Sequence, residues 1–187
     1  MRFISKLLLI GLTLFLSVPS TNAEASGASF SSFSLNNINN IGNDVTGDGY
    51  VTGSFPNLIL TGTDNGSGTV WTTDTATVIS GGTFTFNWNY GTADSSSKWD
   101  PAGYILGASL LPAYTTQLSS DSQLSSSGTT TLTLAAGQVF GFYVKTTDST
   151  GGAGFINIAA VPEPETYGMM LVGLGLLGFM VRRKNSA

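Results

Sequence analysis

The sequence predicts an all-β protein: an antiparallel, jelly-roll-like β-sandwich in an exported domain, flanked by an N-terminal signal peptide and a C-terminal transmembrane helix. Three observations carry this reading. Residues 26–160 break into short alternating apolar and polar segments, separated by Gly, Asn, Asp and Ser turns and lacking a sustained helical period. Glycine, serine and threonine number 24, 23 and 24 of 187 residues, a composition suited to turns and strands. Charged side chains reach only 10%, against roughly 25% in an ordinary domain.

The elements follow in chain order. Residues 1–25 read as the signal peptide: Arg2 and Lys6 give a positive start, residues 7–18 an apolar run, and Pro19 opens a small-residue stretch. Cleavage after Ala23 and after Ala25 are both open, and Ala23-Glu24-Ala25 fits the A-x-A pattern better. The apolar run is short for a membrane span. The sandwich domain occupies 26–160. Its clearest strand is 83–90, where Phe84, Phe86, Trp88 and Tyr90 share one face and Thr and Asn take the other. Residues 129–134 and 139–144 alternate similarly, and further strands are expected at 29–35, 50–55, 57–61, 75–79, 103–106 and 155–159. Trp88 belongs to the core by alternation, whereas nothing local places Trp71.

Residues 161–166 form a Pro-rich linker, 167–181 a second apolar segment, and 182–187 a short basic cytoplasmic tail. Fifteen helical residues rise about 22 Å, short of a hydrocarbon core of about 30 Å. Bilayer thinning and flanking residues cover part of that gap. Arg182, Arg183 and Lys184 act as a membrane stop signal and keep the C-terminus cytoplasmic. Gly173, Gly175 and Gly178 spell G-x-G-x-x-G, but no strand precedes them and only nine residues follow. They are small residues of a membrane helix.

Composition excludes several functions. There is no cysteine and no histidine. Disulfides, cysteine or histidine zinc sites, thiol nucleophiles and imidazole bases are therefore impossible, and so is a Ser-His-Asp triad. With both ends set aside, 26–165 carries Lys98 and Lys145 against ten acids, a net charge of −8. Such a surface repels nucleic acid and anionic lipid.

The C-terminus resembles a known signal. Val161-Pro162-Glu163-Pro164-Glu165-Thr166 precedes the apolar segment and the basic stop, all within the last residues of the chain. This resembles the PEP-CTERM sorting signal of Gram-negative bacteria that make exopolysaccharide, with Pro162, Glu163 and Pro164 as the motif. The resemblance implies recognition by exosortase, a membrane protease, after a transient stay in the inner membrane, and delivery to the cell surface or extracellular matrix. Physically, each proline fixes φ and pushes its predecessor toward an extended backbone, a form suited to a protease substrate. The order of Phe84–Tyr90, Trp99-Asp100-Pro101 and 137–142 also looks like a recurrent module of secreted bacterial proteins; over 58–158 it implies a β-sandwich and no assigned activity.

Candidate sites within the domain are sparse. Asp44, Thr46 and Asp48, with Gly49, resemble the start of a calcium loop, but the twelfth position is Phe55 where a bidentate Glu belongs. A tight Asp-Gly turn opening the strand at Tyr50 explains the same residues. No other cofactor is indicated. Trp99 and Asp100 are a possible glycan contact, an aromatic for stacking beside a carboxylate for hydroxyls. Equally, Trp99 packs over the sandwich edge while Asp100 caps a turn before Pro101. Asn65-Gly66-Ser67 reads as a turn, and the serine runs 95–97 and 119–127 as surface loops.

The expected function is a non-enzymatic exported surface or matrix protein, associated with exopolysaccharide and processed by exosortase. The alternative is a carbohydrate-binding module that recognises that polysaccharide. A hydrolase built on Asp94 and Asp100 would need the two carboxyls roughly 5–10 Å apart across a cleft.

Overall fold

The computed structural model describes residues 23–25, 27–107, 112–162 and 164–184. Of the signal peptide expected at 1–25, residues 1–22 lie outside these residues, as do Glu163 of the sorting motif and residues 185–187, whereas Ala23–Ala25 form a short strand. Twelve strands form among the described residues. In chain order they are β1 (Ala23–Ala25), β2 (Ala28–Phe30), β3 (Ser34–Ile38), β4 (Tyr50–Ser54), β5 (Asn57–Thr61), β6 (Val70–Ser80), β7 (Gly82–Thr92), β8 (Ala102–Gly107), β9 (Thr115–Gln117), β10 (Ser125–Leu134), β11 (Val139–Thr146) and β12 (Gly154–Ala160). A helix, α1, runs over Pro164–Lys184.

The strands form two antiparallel sheets. One runs β1-β2-β6-β11-β8-β9 with β3 also on β6; the other runs β10-β7-β12-β5-β4. The expected β-sandwich is therefore present. Alternation builds its core: Phe84, Phe86 and Tyr90 of β7 turn inward and are fully buried, and Phe140, Phe142 and Val144 of β11 meet them from the opposite sheet. The Phe84 and Phe140 rings lie 5.2 Å apart at 74°, and Phe86 meets Phe142 at 5.2 Å and 77°. Burying each such ring is worth about 2–3 kcal/mol, and edge-to-face contact adds about 1 kcal/mol.

Several elements differ from expectation for identifiable reasons. The strand expected at 29–35 is two strands, with a register shift between Ser29 and Phe30 where β2 meets β6. The strand expected at 75–79 is the eleven-residue β6, which begins at Val70. Its inward positions Thr72 and Asp74 are polar, so the apolar alternation fades there although the strand continues. Trp71 faces outward from that sheet, in a small cluster with Ile38, Ile105 and Tyr143, and Lys145 Nζ sits 5.3 Å from its ring centroid. Trp88 is only half-buried against the core, and its indole Nε1 donates to Thr130 Oγ1 at 3.1 Å.

The helix begins at Pro164, inside the linker expected at 161–166, and includes Arg182, Arg183 and Lys184, beyond the end expected at 181. Proline is well suited to a first helical turn, where its missing N–H costs no intrahelical bond. No helix among the described residues is long and apolar enough to cross a membrane, so the expected transmembrane helix is not borne out as a full span. The apolar run itself, 167–181, is only fifteen residues, with Glu165 before it and Arg182, Arg183 and Lys184 after it, against about 20 needed for a full span.

Candidate functional site

Three places bear on function: the C-terminal segment, the loops at one end of the sandwich, and the outer face of the five-stranded sheet.

At the C-terminus, β12 ends at Ala160, and Val161 N–H still donates to Thr85 O at 2.9 Å. Pro162 is exposed directly after it, and α1 starts two residues later. The segment between sheet and helix is therefore very short. The large apolar side chains of α1 from Tyr167 to Met180 are between 52% and 74% exposed. A helix that is apolar on every side has no single face to bury against a domain.

The loops bring together most of the carboxylates singled out in the sequence. Trp99 keeps 43% exposure, but neighbouring Asp100 is 3% exposed, and its Oδ2 accepts from Thr92 Oγ1 at 2.6 Å. Asp100 thus anchors the loop internally, and it shares no open surface with the Trp99 ring. Asp94 is also buried, with Oδ1 accepting from the backbone N–H and the hydroxyl of Ser95. Burial pushes the Asp100 carboxyl up to about 6; the Thr92 bond lowers it, and the Asp94 charge raises it further. Both acids of the hydrolase reading are therefore enclosed side chains with neighbours of their own.

The calcium-loop residues Asp44, Thr46 and Asp48 are exposed. Asp44 bridges to Ile38, and Asp48 Oδ1 accepts from Asp64 N–H at 2.9 Å. The loop is latched from inside by Asn37, whose Nδ2 donates to Gly49 O at 3.2 Å and Gly47 O at 3.4 Å. Asn37 Oδ1 in turn accepts from Thr72 Oγ1 at 2.8 Å. Gly49 is required here, because a Cβ would fall 2.0 Å from Thr72 Oγ1. Among the described residues, no group of three or more acidic side chains is arranged to hold a metal.

The third place was not singled out in the sequence. On the outer face of the five-stranded sheet, a groove of about 410 Å³ is centred on β7. Asn87 and Asn89 line it from β7, Ser127 and Thr129 from β10, and Asn157 and Ala159 from β12. Cross-strand register puts Asn89 between Ser127 and Asn157, and Asn87 between Thr129 and Ala159. The polar positions of 83–90 were legible as an outward face, but the partner strands that complete the groove were not.

No curated protein matches the chain. Among solved structures, it is similar to the carbohydrate binding module CBM6cm-2 from Cellvibrio mixtus lichenase 5A in complex with cellotriose. That likeness has 14% identity and a TM-score of 0.31, over 67% of this chain and 96% of that one. A structure described as "CBM4 structure and function" is similar at 13% identity and a TM-score of 0.30, over 62% and 79% of the two chains. At these TM-scores neither likeness bears on function. The C-terminal segment is different, for residues 160–184 match the PEP-CTERM protein-sorting motif, with Pro162, Glu163 and Pro164 at its head and Arg182, Arg183 and Lys184 at its end. This chain carries a PEP-CTERM sorting motif.

Proposed function

We propose that this is an exported, non-enzymatic surface protein whose C-terminal segment is an address, read and removed by exosortase. The carrying observation is the sorting motif at 160–184, which coincides with a helix apolar on every side. Such a helix is poorly suited to water and well suited to lipid. Its apolar stretch, 167–181, is short, so it anchors with help from bilayer thinning and from the basic residues at its end. A marginal anchor fits a passing intermediate better than a permanent one. The cationic end keeps the C-terminus in the cytoplasm, which leaves Pro162-Glu163-Pro164 outside, next to the sandwich.

The N-terminal reading is compatible with the fold. Cleavage after Ala23 shortens β1 and cleavage after Ala25 removes it, yet either cut spares β2, where Phe30 is fully buried. After processing, the sandwich with its acidic surface remains outside the cell, among the exopolysaccharide.

Truncation tests this. A chain ending at residue 159 is expected to leave the inner-membrane and cell-surface fractions and collect as soluble periplasmic protein. If the truncated chain reaches the surface as well as the full chain does, the address reading is wrong.

A further inference from the structure

We propose that the outer face of the five-stranded sheet binds an uncharged polysaccharide chain, seated in the groove over Asn87, Asn89 and Asn157. The proposal rests on the surface-protein reading, because only an exported domain meets such a polymer.

Charge narrows the ligand class. None of the outward-facing positions of β4, β5, β7, β10 and β12 carries a charged side chain, although the ectodomain as a whole is strongly acidic. A phosphate or uronate polymer finds no cation on this face. Of the two lysines in residues 26–165, Lys145 belongs to the other sheet, where it lies over Trp71. Acidic polymers are repelled by the rest of the domain, whereas neutral ones are not.

The lining supplies matching chemistry. The side-chain amides of Asn89 and Asn157 face each other in register and have no hydrogen-bond partner among the described residues. Each offers two donors and one acceptor, a set that matches adjacent sugar hydroxyls. Asn87, by contrast, is fixed, its Oδ1 accepting from Thr129 Oγ1 at 2.7 Å. Fixed and free amides side by side give the groove both shape and unspent hydrogen-bonding capacity.

An apolar rim completes the face. Phe155 is 37% exposed, and its ring occupies the space above Gly91, where a Cβ would come within 2.7 Å of it. Tyr50 at 53% lies in the same cross-strand row beyond Thr61, and Ile59 at 37% sits directly beside Asn157. Exposed rings beside unpaired amides suit a ligand with apolar C–H faces and hydroxyl edges, which describes a pyranose chain. The groove volume lies at the lower end of the roughly 300–1,000 Å³ common for small-ligand sites, enough for a short stretch of a polymer.

The test uses the full chain, extracted in a zwitterionic detergent and run by native electrophoresis through gels containing laminarin, dextran, galactomannan or alginate. Retardation is expected in at least one of the three neutral gels and not in alginate. Asn89→Ala with Asn157→Ala should weaken retention at least about tenfold, with an unchanged melting temperature, because two ligand hydrogen bonds are lost. Trp99→Ala should be retained like the wild type. Free migration in all gels, equal retention by alginate, or a double variant that binds normally overturns the proposal. A dimer in light scattering without retention assigns the face to self-association and overturns it equally. These outcomes are independent of where the mature chain ends, so the sorting reading stands or falls separately.

Discussion

Thr92 Oγ1 donates to Asp100 Oδ2 across 2.6 Å, and the two residues tie the end of β7 to the loop that leads into β8. The bond holds a carboxyl that burial has taken almost wholly from water, with 3% exposure. Asp74, on β6, is in a similar state at 5% exposure, and burial pushes its carboxyl up to about 6 as well. Both acids are more easily protonated in the fold than in the open chain, where their value is near 3.8.

Stability should therefore fall as pH rises. Below about pH 4 both states hold these protons and no cost arises. Between about 4 and 6 the unfolded chain releases them while the fold retains them, so stability drops; above about 6 the loss is complete. A carboxyl raised from 3.8 to about 6 costs the fold at most about 3 kcal/mol at neutral pH. Melting temperature is expected to be higher at pH 4 than at pH 7, with the fall concentrated between those values. Asp74→Asn combined with Asp100→Asn should flatten the profile and raise the melting temperature at pH 7. A wild-type melting temperature that climbs from pH 4 to 7 would contradict this.

Asn37 gives a second prediction. Its side chain donates two hydrogen bonds to the 44–49 loop, at Gly47 O and Gly49 O, and accepts a third from Thr72 of β6, tying the loop to that strand. Asn37→Ala leaves two loop carbonyls and Thr72 without this partner, at a cost of about 2 kcal/mol. A melting temperature lower by about 5 °C is expected for a domain of this size. If the latch is this side chain and not a cation on Asp44, Thr46 and Asp48, then adding calcium or EDTA should leave the wild-type melting curve in place. A calcium-dependent rise together with a silent Asn37→Ala would reverse the assignment.

Legibility in the sequence followed the alternation of side chains. The strands β5, β7, β11 and β12 were readable because inward Leu, Ile, Phe or Val recur at every second residue. By contrast, β10 was readable only from Thr129: Ser125–Ser127, expected as the end of a surface loop, extend the strand opposite Gly91, Tyr90 and Asn89 and carry no apolar side chain to show it. Strands β4 and β8 were also readable, but polar residues turned inward hid part of β6: Thr72 and Asp74 concealed its first half, since Thr72 binds Asn37 where the pattern calls for an aliphatic side chain. The three-residue strands β1 and β9 are too short to carry any period. Asp100 looked available beside Trp99 in sequence, but its partner Thr92 lies eight residues earlier and draws it inside. The groove on β7 depends on the register of Asn89 with Ser127 and Asn157, a long-range relationship that no local pattern encodes.

The most direct measurement is the intact mass of the protein recovered from the outer surface of the cell. Sorting predicts one species that has lost both ends, beginning at Glu24 or Ser26 and finishing near Pro162-Glu163-Pro164. A surface species that still carries Arg182, Arg183 and Lys184 would show that the tail is a lasting part of the protein, and the address account would fail.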